Sequence, residues 1–299
     1  MAPEIFRFQL GQFSCLSILD CRSPYPSELF FSGMPREQVE ILLRRYAQDL
    51  QQIEIPYICL FIQAGRKRVL IDTGIGLEGF GAVTGKLIQH LRTAGIEPDE
   101  IDTVILSHGH GDHIGGNVDR EGRPVFRNAR YVMHKEEWDY WMANPRLEEL
   151  TINQDFKEAI LAFARRNLSP IRNQFDLVVD QNTEILPGIT AFTTYGHTAG
   201  HMSLDISSEG QHLLFTGDSF IHPFHIEHPE TITAFDHQPE KMIATRLRLL
   251  HRAAKERSLV LASHFPFPGL GYVEQTAGQW EWQPLSSTGP RRHSTSPSQ

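Results

Sequence analysis

The chain has 299 residues, with 28 Lys and Arg against 36 Asp and Glu, and its formal net charge is −8 when its 15 histidines are neutral. Surfaces that track nucleic-acid phosphates need an excess of positive charge, so this balance argues against a nucleic-acid partner. The three cysteines cannot all pair and show no Cys-x-x-Cys spacing, which argues against a disulfide scaffold and a thiolate zinc site.

The start of the chain does not resemble a secretory signal. The first twenty residues contain one basic residue, no continuous apolar stretch and no small-residue cleavage site. No apolar run in the sequence approaches the length that spans a bilayer. We therefore expect a protein of the cytoplasm with no membrane partner.

Hydrophobic periodicity predicts strands and helices that alternate along the chain. The predicted strands lie at 5–10, 15–19, 55–61, 69–71, 103–106, 131–133, 189–192, 213–215 and 259–262. The predicted helices lie at 35–47, 84–92, 135–142, 155–166 and 239–255. No linker-like change of composition divides the chain, so we expect one α/β domain over residues 1–283. Residues 284–299, rich in Ser, Thr, Pro and Arg, predict a disordered tail.

A dense group of metal-binding side chains follows the strand predicted at 103–106. Three imidazoles and one carboxylate occur within six residues, at His108, His110, Asp112 and His113, and glycines between them let the backbone bend tightly. Imidazole binds zinc, iron or manganese, and a neighbouring carboxylate adds negative charge that holds a divalent cation. This spacing is much more specific than a single pair of histidines, so it predicts a metal site and not a solvated polar turn.

Three more candidate ligands come after predicted strands in the second half of the chain: His197, Asp218 and His264. The ends of strands in one sheet converge on one edge, where open α/β folds place their ligands. Each residue alone would be expected to be a capping or surface group. Together they complete a metal site.

Five short motifs resemble those of the metallo-β-lactamase superfamily. They are IDTG at 71–74, SHGHGDHIGG at 107–116, GHTAGH at 196–201, GD at 217–218 and SH at 263–264. The resemblance implies an α/β fold, the four-layer αβ/βα sandwich, in which two sheets pack face to face with helices outside. It also implies two divalent metal ions at one edge, with zinc favoured and manganese, iron or cobalt compatible with the same ligands.

Matching the motif positions assigns the ligands residue by residue. The implied ligands of the two metals are His108, His110 and His197 for one and Asp112, His113 and His264 for the other. Asp218 would bridge the two metals, and Asp218 and Asp112 are the predicted catalytic residues. Asp72 would support the site from behind the ligands. We expect His201 to support His197 through the local turn.

Within the superfamily, several segments resemble the branch of methyl parathion hydrolase. They include DTGIGLEGFG at 72–81, KEEWDYW at 135–141, HPETITAFD at 228–236 and ASHFPFPGLG at 262–271. The likeness implies an aromatic pocket for an apolar leaving group or acyl chain. The pocket residues predicted from the likeness are Phe80, Trp141 and Phe156. Phe220, His222 and Phe265 are also predicted to line the pocket, because they lie close to the ligands in the sequence. Core packing explains Phe156 equally well, because it lies on a helical pattern.

The resemblance implies a hydrolase whose metal-bridging hydroxide attacks an uncharged ester, either a lactone or aryl ester or an organophosphate triester. One alternative is a thioester hydrolase of the glyoxalase II type, although the basic cluster that holds glutathione is not found near the motif. Another alternative is a binding or regulatory protein that keeps the metals without turnover.

The apolar segment around Phe30 and Phe31 is the candidate surface for a homodimer.

Overall fold

Two seven-stranded sheets form the centre of the protein. The structure, a computed structural model, describes residues 4–77, 83–143, 145 and 147–285. The first sheet contains, in spatial order, β1 (Ile5–Leu10), β2 (Phe13–Tyr25), β3 (Ile53–Ala64), β4 (Lys67–Ile71), β5 (Thr103–Ile105), β6 (Arg130–His134) and β7 (Phe175–Val178). Strands β1 to β4 pair antiparallel and β4 to β7 pair parallel. The sheet is therefore mixed, and its parallel half contains the strand that precedes the histidine motif.

The second sheet is also mixed. Its strands are β8 (Asn182–Leu186), β9 (Ile189–Thr193), β10 (Met202–Ser208), β11 (Gln211–Phe215), β12 (Leu259–Leu261), β13 (Leu270–Thr276) and β14 (Gln279–Pro284). They also lie side by side in chain order, and only the β11–β12 pair is parallel. Pro284, which the sequence assigned to the tail, instead pairs with Gly271 at the end of β14. Residues 286–299 lie outside the described part.

Helices lie outside both sheets. They are α1 (Arg36–Arg45), α2 (Leu87–Thr93), α3 (Gly111–Ile114), α4 (Lys135–Met142), α5 (Gln154–Leu168), α6 (Phe224–Glu227) and α7 (Pro239–Glu256). The predicted helix at 84–92 begins three residues late, at Leu87, whose N–H donates to the buried carboxylate of Asp20. None of the described helices has the length and apolar character needed to cross a membrane.

Alternation along β3 explains how the layers are held together. Leu60 and Ile62 pack between the sheets against Leu204 and other residues of the second sheet. Cys59 and Phe61 point the opposite way, into the core beneath α2, α4 and α5. Full burial of one such apolar side chain contributes about 1.5–3 kcal/mol. With α7 packed on the other sheet, the layers run helix, sheet, sheet, helix, which confirms the predicted sandwich.

The N-terminal segment between β2 and β3 packs inward. Phe30 and Phe31 are 3% and 4% exposed and lie in one cluster with Val39 and Leu43 of α1 and Phe224 of α6. The prediction that Phe30 and Phe31 form a dimer surface is therefore wrong, because the chain itself covers both rings. This cluster instead forms one wall beside the sheet edge where the predicted metal ligands converge.

Candidate metal centre

The candidate ligands sit on loops at the ends of strands. His108 follows β5, His197 follows β9, Asp218 follows β11 and His264 follows β12. Because β11 and β12 run parallel, the loops that follow them leave the same edge of the second sheet. The two sheets thus bring together side chains that lie up to 156 positions apart in the sequence.

One half of the cluster consists of three imidazoles around one carboxylate. His110 Nδ1 lies 3.0 Å from the Nε2 atoms of both His108 and His197. Asp218 Oδ2 lies 3.3 Å from His197 Nε2 and 3.8 Å from His108 Nε2. These four residues each offer one donor atom, and those atoms lie within 4.8 Å of one another. The spacing fits a single cation held between them.

The other half shares Asp218. Its Oδ1 atom lies 3.1 Å from His113 Nε2 and 3.0 Å from His264 Nε2. Asp112 Oδ2 lies 3.5 Å and 3.4 Å from the same two nitrogens. The two carboxylate oxygens of Asp218 therefore face different halves of the cluster. This is the geometry expected of a carboxylate that bridges two metals.

The chemistry of the donor atoms fits two divalent cations. His113 Nε2 and Asp218 Oδ1 are buried and have no partner in hydrogen-bonding geometry within the described residues. An imidazole nitrogen and a carboxylate oxygen without partners are costly to bury. Five imidazoles and two carboxylates that converge in this way match the ligand preferences of zinc and of other first-row metals.

Hydrogen bonds on the far side of the rings aim the histidines at the centre. His113 Nδ1 donates to Asp72 Oδ2 (2.7 Å), and His264 Nδ1 donates to the carbonyl of Pro56 (2.8 Å). His108 Nδ1 lies 3.0 Å from Ser107 Oγ, which itself donates to Asp72. These bonds turn Nε2 of each ring toward the centre, where it can bind a metal once it has lost its proton. Asp72 thus has the supporting position that the sequence predicted.

His201 lies behind the cluster and contacts Asp218 in addition to the turn that contains His197. Its Nδ1 lies 2.8 Å from Thr194 Oγ1, and its Nε2 accepts a hydrogen bond from the backbone N–H of Asp218. Burial, with the charge of His197, lowers the pKa of His201 to about 3, so the ring stays neutral and can accept. The hydrogen bonds between Thr194 and His201 also close the turn that contains His197, and the expected support of His197 by His201 stays a prediction.

Glu137 is a buried carboxylate that sequence reasoning missed. Its Oε1 accepts from the N–H of Gly109 (2.8 Å) and from Trp141 Nε1 (2.7 Å). Its Oε2 accepts from the Thr198 hydroxyl and the Gly200 N–H, both at 2.7 Å. A Cβ atom on Gly200 would lie 2.3 Å from the backbone nitrogen of Glu137, so only glycine allows this approach. Glu137 therefore ties together the two loops that contain His108, His110 and His197.

Asp236 was also missed, although it ends the quoted segment 228–236. Its Oδ1 accepts from His197 Nδ1 at 2.9 Å, and its Oδ2 accepts from the N–H of Thr233. The guanidinium of Arg246, which is completely buried, lies 3.5 Å from the same carboxylate and donates to the carbonyl of Ser219. A carboxylate behind a ligating imidazole fixes the orientation of the ring and raises its basicity.

The electrostatics of the cluster favour ionised carboxylates. Burial opposes ionisation of Asp218, but the charges of His113 and His264 hold its pKa well below the usual range. Burial and the neighbouring His113 lower the pKa of His108, which favours the neutral imidazole. Hydrogen bonds to Asp218 and Asp236 overcome burial and raise the pKa of His197 to about 9. A cation in the cluster would replace the protons that these groups otherwise share.

A cleft lies beside the cluster. The ligands that reach its wall are His110, Asp112, His197, Asp218 and His264. The apolar part of the wall includes Phe30, Phe156, Ile160, Phe163, Ile221 and Phe235. Three of these follow each other at helical spacing on one face of α5. Tyr25 and Tyr57 complete the polar lining, and no Lys or Arg occurs in it among the described residues.

A family model of the metallo-beta-lactamase superfamily matches residues 56–264, more than half of the chain. The matched region starts within β3 and ends at the last of the clustered histidines. The chain belongs to the metallo-beta-lactamase superfamily. This confirms the resemblance that the short motifs indicated.

Several members and structures of the superfamily are similar to this chain. An N-acyl homoserine lactonase of Bacillus thuringiensis is 25% identical over 231 residues, which cover 71% of this chain and 82% of that protein. The structure of AidC, a dizinc quorum-quenching lactonase in complex with a product, has a TM-score of 0.87 at 25% identity and covers 94% of this chain and 97% of that one. The structure of the hydrolase AbOPH has a TM-score of 0.85 at 25% identity and covers 96% of this chain and 99% of that one.

The cleft includes only part of the pocket that the likeness to methyl parathion hydrolase predicted. Phe156 lines it, whereas Phe80 lies outside the described residues. Trp141 is fully buried in the core behind His110, with 5.6 Å between the ring centroids. The pocket position predicted for Trp141 is therefore corrected. The narrower likeness to that branch stays a prediction.

The other three predicted pocket residues also lie behind the wall. Phe220 belongs to the core between the second sheet and α7, and Phe265 packs edge-on against Trp282. His222 packs against Tyr46, and its Nε2 lies 3.3 Å from Gln48 Oε1. The prediction that Phe220, His222 and Phe265 line the pocket is therefore wrong. Closeness to Asp218 and His264 in the sequence did not bring these side chains to the cleft, because Phe220 and Phe265 pack in the core beside the second sheet and His222 packs against Phe31 and Tyr46.

Proposed function

We propose that this protein is a dinuclear zinc hydrolase that opens lactone rings, with N-acyl homoserine lactones as the substrate class. The observation that carries the proposal is the shared carboxylate of Asp218, one oxygen facing each half of a seven-residue ligand cluster that opens onto an apolar cleft. Similarity to N-acyl homoserine lactonases and to a dizinc lactonase structure supports the choice of substrate and of metal.

The proposed ligands are those that the motifs implied. His108, His110 and His197 would hold one zinc ion; Asp112, His113 and His264 would hold the other; and Asp218 would bind both. When bound, two such cations lower the pKa of water toward neutrality and polarise a carbonyl oxygen.

The two carboxylates at the cleft have the catalytic roles in this proposal. Asp112 would be ionised when it binds the metal, so its second carboxylate oxygen could accept a proton from the attacking water. The same oxygen can return that proton to the alkoxide that leaves when the lactone ring opens. Asp218 keeps the two halves of the site at a fixed separation.

The character of the cleft supports an uncharged substrate. Its described lining combines phenylalanine and isoleucine side chains with two tyrosines and contains no Lys or Arg. A thioester of glutathione, which has charged carboxylates, would find no cationic partner there. This weighs against the glyoxalase II type of activity. Phosphotriesters are also uncharged and stay as a second candidate because of the similarity to the hydrolase AbOPH.

A panel of substrates tests the proposal. N-hexanoyl homoserine lactone, an aryl phosphotriester and an acyl glutathione thioester would be assayed by proton release with zinc-loaded protein. The proposal expects the lactone to be hydrolysed with the highest kcat/KM. A preference for the phosphotriester or the thioester would overturn the substrate class. No turnover of any of the three with two zinc ions bound would favour a binding protein.

A further inference from the structure

Two tyrosines are the only polar side chains in the described lining of the cleft that do not belong to the ligand cluster. Tyr25 ends β2 and Tyr57 lies on the adjacent strand β3. Their hydroxyl oxygens lie 2.6 Å apart, which is a short hydrogen bond. The surrounding wall consists of apolar side chains, so this pair is an isolated polar spot in an apolar cleft.

Tyr57 is fixed at the edge of the metal centre. Its ring packs edge-on against the imidazole of His264, with 5.5 Å between centroids. The residue before it, Pro56, accepts the hydrogen bond from His264 Nδ1, and the N–H of Ile58 donates to the carbonyl of Ser263. Three consecutive residues of β3 thus contact Ser263 or His264, on the loop that follows β12. The position of the Tyr57 hydroxyl is therefore set by the same contacts that set the metal centre.

The pair has hydrogen-bonding capacity left over. Two hydroxyls use one proton in their mutual bond, so the second phenolic proton can be donated to another acceptor. Ser23 lies beside both phenols, and when its hydroxyl donates its own proton to one of them, one phenolic proton stays available for a ligand. Burial and the charge of Asp112 raise the pKa of Tyr25 to about 12, and burial raises that of Tyr57 well above its usual value. Both phenols therefore remain neutral donors.

We propose that the Tyr25–Tyr57 hydroxyl pair is a subsite that hydrogen bonds a neutral carbonyl group next to the scissile ester, such as the amide of an acylamino lactone. This rests on the proposed lactone-opening function. The aromatic wall then receives the hydrocarbon chain, and the hydroxyl pair selects acylamino lactones over lactones that have only an alkyl chain. A buried donor left unpaired by the wrong substrate costs more than the hydrogen bond itself contributes.

Two measurements test this subsite, and the first does not depend on the hydrolytic activity. The first uses an amide that cannot be hydrolysed as an ester, N-hexanoyl cyclopentylamine, and measures its Kd by calorimetry with zinc-loaded protein. Tyr25→Phe and Tyr57→Phe should each weaken binding by about 3- to 10-fold. Tyr46→Phe is the matched control, because it removes a hydroxyl that donates to Glu227 and not to this cleft. Thermal unfolding shows whether each variant is folded.

The second measurement compares two lactones that have chains of equal length, one with and one without the amide. Tyr57→Phe should raise KM for the acylamino lactone by a similar factor and leave KM for the alkyl lactone unchanged. An equal loss on both lactones would assign Tyr57 a purely structural role and overturn the subsite. No binding of the amide to the wild type, or equal binding to all variants, would also overturn it.

The outcomes separate the two proposals. If neither lactone is hydrolysed but the amide binds in a tyrosine-dependent way, lactone hydrolysis is wrong and the subsite stands. If both lactones are hydrolysed and the tyrosine variants behave as wild type, the subsite is wrong and the hydrolase stands.

Discussion

The imidazole of His197 donates a hydrogen bond from Nδ1 to the carboxylate of Asp236, with 2.9 Å between the two atoms, and both side chains are buried. The bond leaves His197 Nε2 facing His110 and Asp218. Asp236 is itself held by the N–H of Thr233 and by the buried Arg246. The metal centre is thus oriented by groups that do not reach the cleft.

Asp236→Asn should weaken zinc binding. It should also lower the free energy of unfolding, because the buried guanidinium of Arg246 loses the negative charge beside it. The amide oxygen can still accept from His197, but the negative charge that makes the imidazole a better ligand is lost. We expect zinc affinity to fall by about 10-fold, measured by competition with a chromophoric chelator. Asp176→Asn removes an exposed carboxylate paired with Arg130 and is the control. Equal affinities in the two variants would contradict a role for Asp236 in metal binding.

Glu137→Gln should destabilise the protein through the two loops that the carboxylate holds. An amide has one acceptor oxygen in place of two, so two of the four buried donors lose their partner. We expect the free energy of unfolding to fall by about 2 kcal/mol or more, measured by denaturant titration. Glu158→Gln, on the exposed face of α5, should change it by less than about 0.5 kcal/mol. A Glu137→Gln variant with the same free energy of unfolding as wild type would show that the two loops do not depend on the Glu137 carboxylate.

His222 should make the stability depend on pH. Burial lowers its pKa to about 3 in the folded state, against 6.5 for an ordinary histidine. The unfolded chain therefore binds one more proton between these values, and stability is lost as the pH falls from about 6.5 toward 3. When the pH is lowered from 7 to 4.5, the free energy of unfolding should decrease in both proteins. The decrease should be about 2 kcal/mol smaller in His222→Gln than in wild type. Equal pH dependence of the two proteins would contradict a neutral, buried His222.

The metal ligands could be predicted from the sequence because four of them form one compact motif. His108 and His113 lie five residues apart on a turn after a buried strand, and no packing role requires that spacing. Strands such as β5 and β12 are short apolar runs, and helix α7 shows a clear helical period. These local signals predicted an α/β domain and the edge at which the ligands meet, whereas the two-sheet sandwich was implied by the resemblance to the superfamily.

The supporting groups could not be predicted in this way because their partners are distant in the sequence. Glu137 lies on a helix where a carboxylate is normally exposed, and its backbone partners Gly109 and Gly200 are 28 and 63 positions away. Tyr25 and Tyr57 belong to no motif, and only the pairing of β2 with β3 brings their hydroxyls together. Such residues are identified by tertiary contacts and not by local pattern.

A zinc titration of metal-free protein, with lactone hydrolysis measured at each step, tests whether Asp218 joins two metal sites in one catalytic centre. If Asp218 joins two metal sites, hydrolysis of N-hexanoyl homoserine lactone should be absent without metal and rise to its maximum at two zinc ions per chain. Asp218→Ala should remain inactive at the same zinc concentration. Full activity without zinc, a maximum at one zinc ion per chain, or an active Asp218→Ala variant would contradict the account.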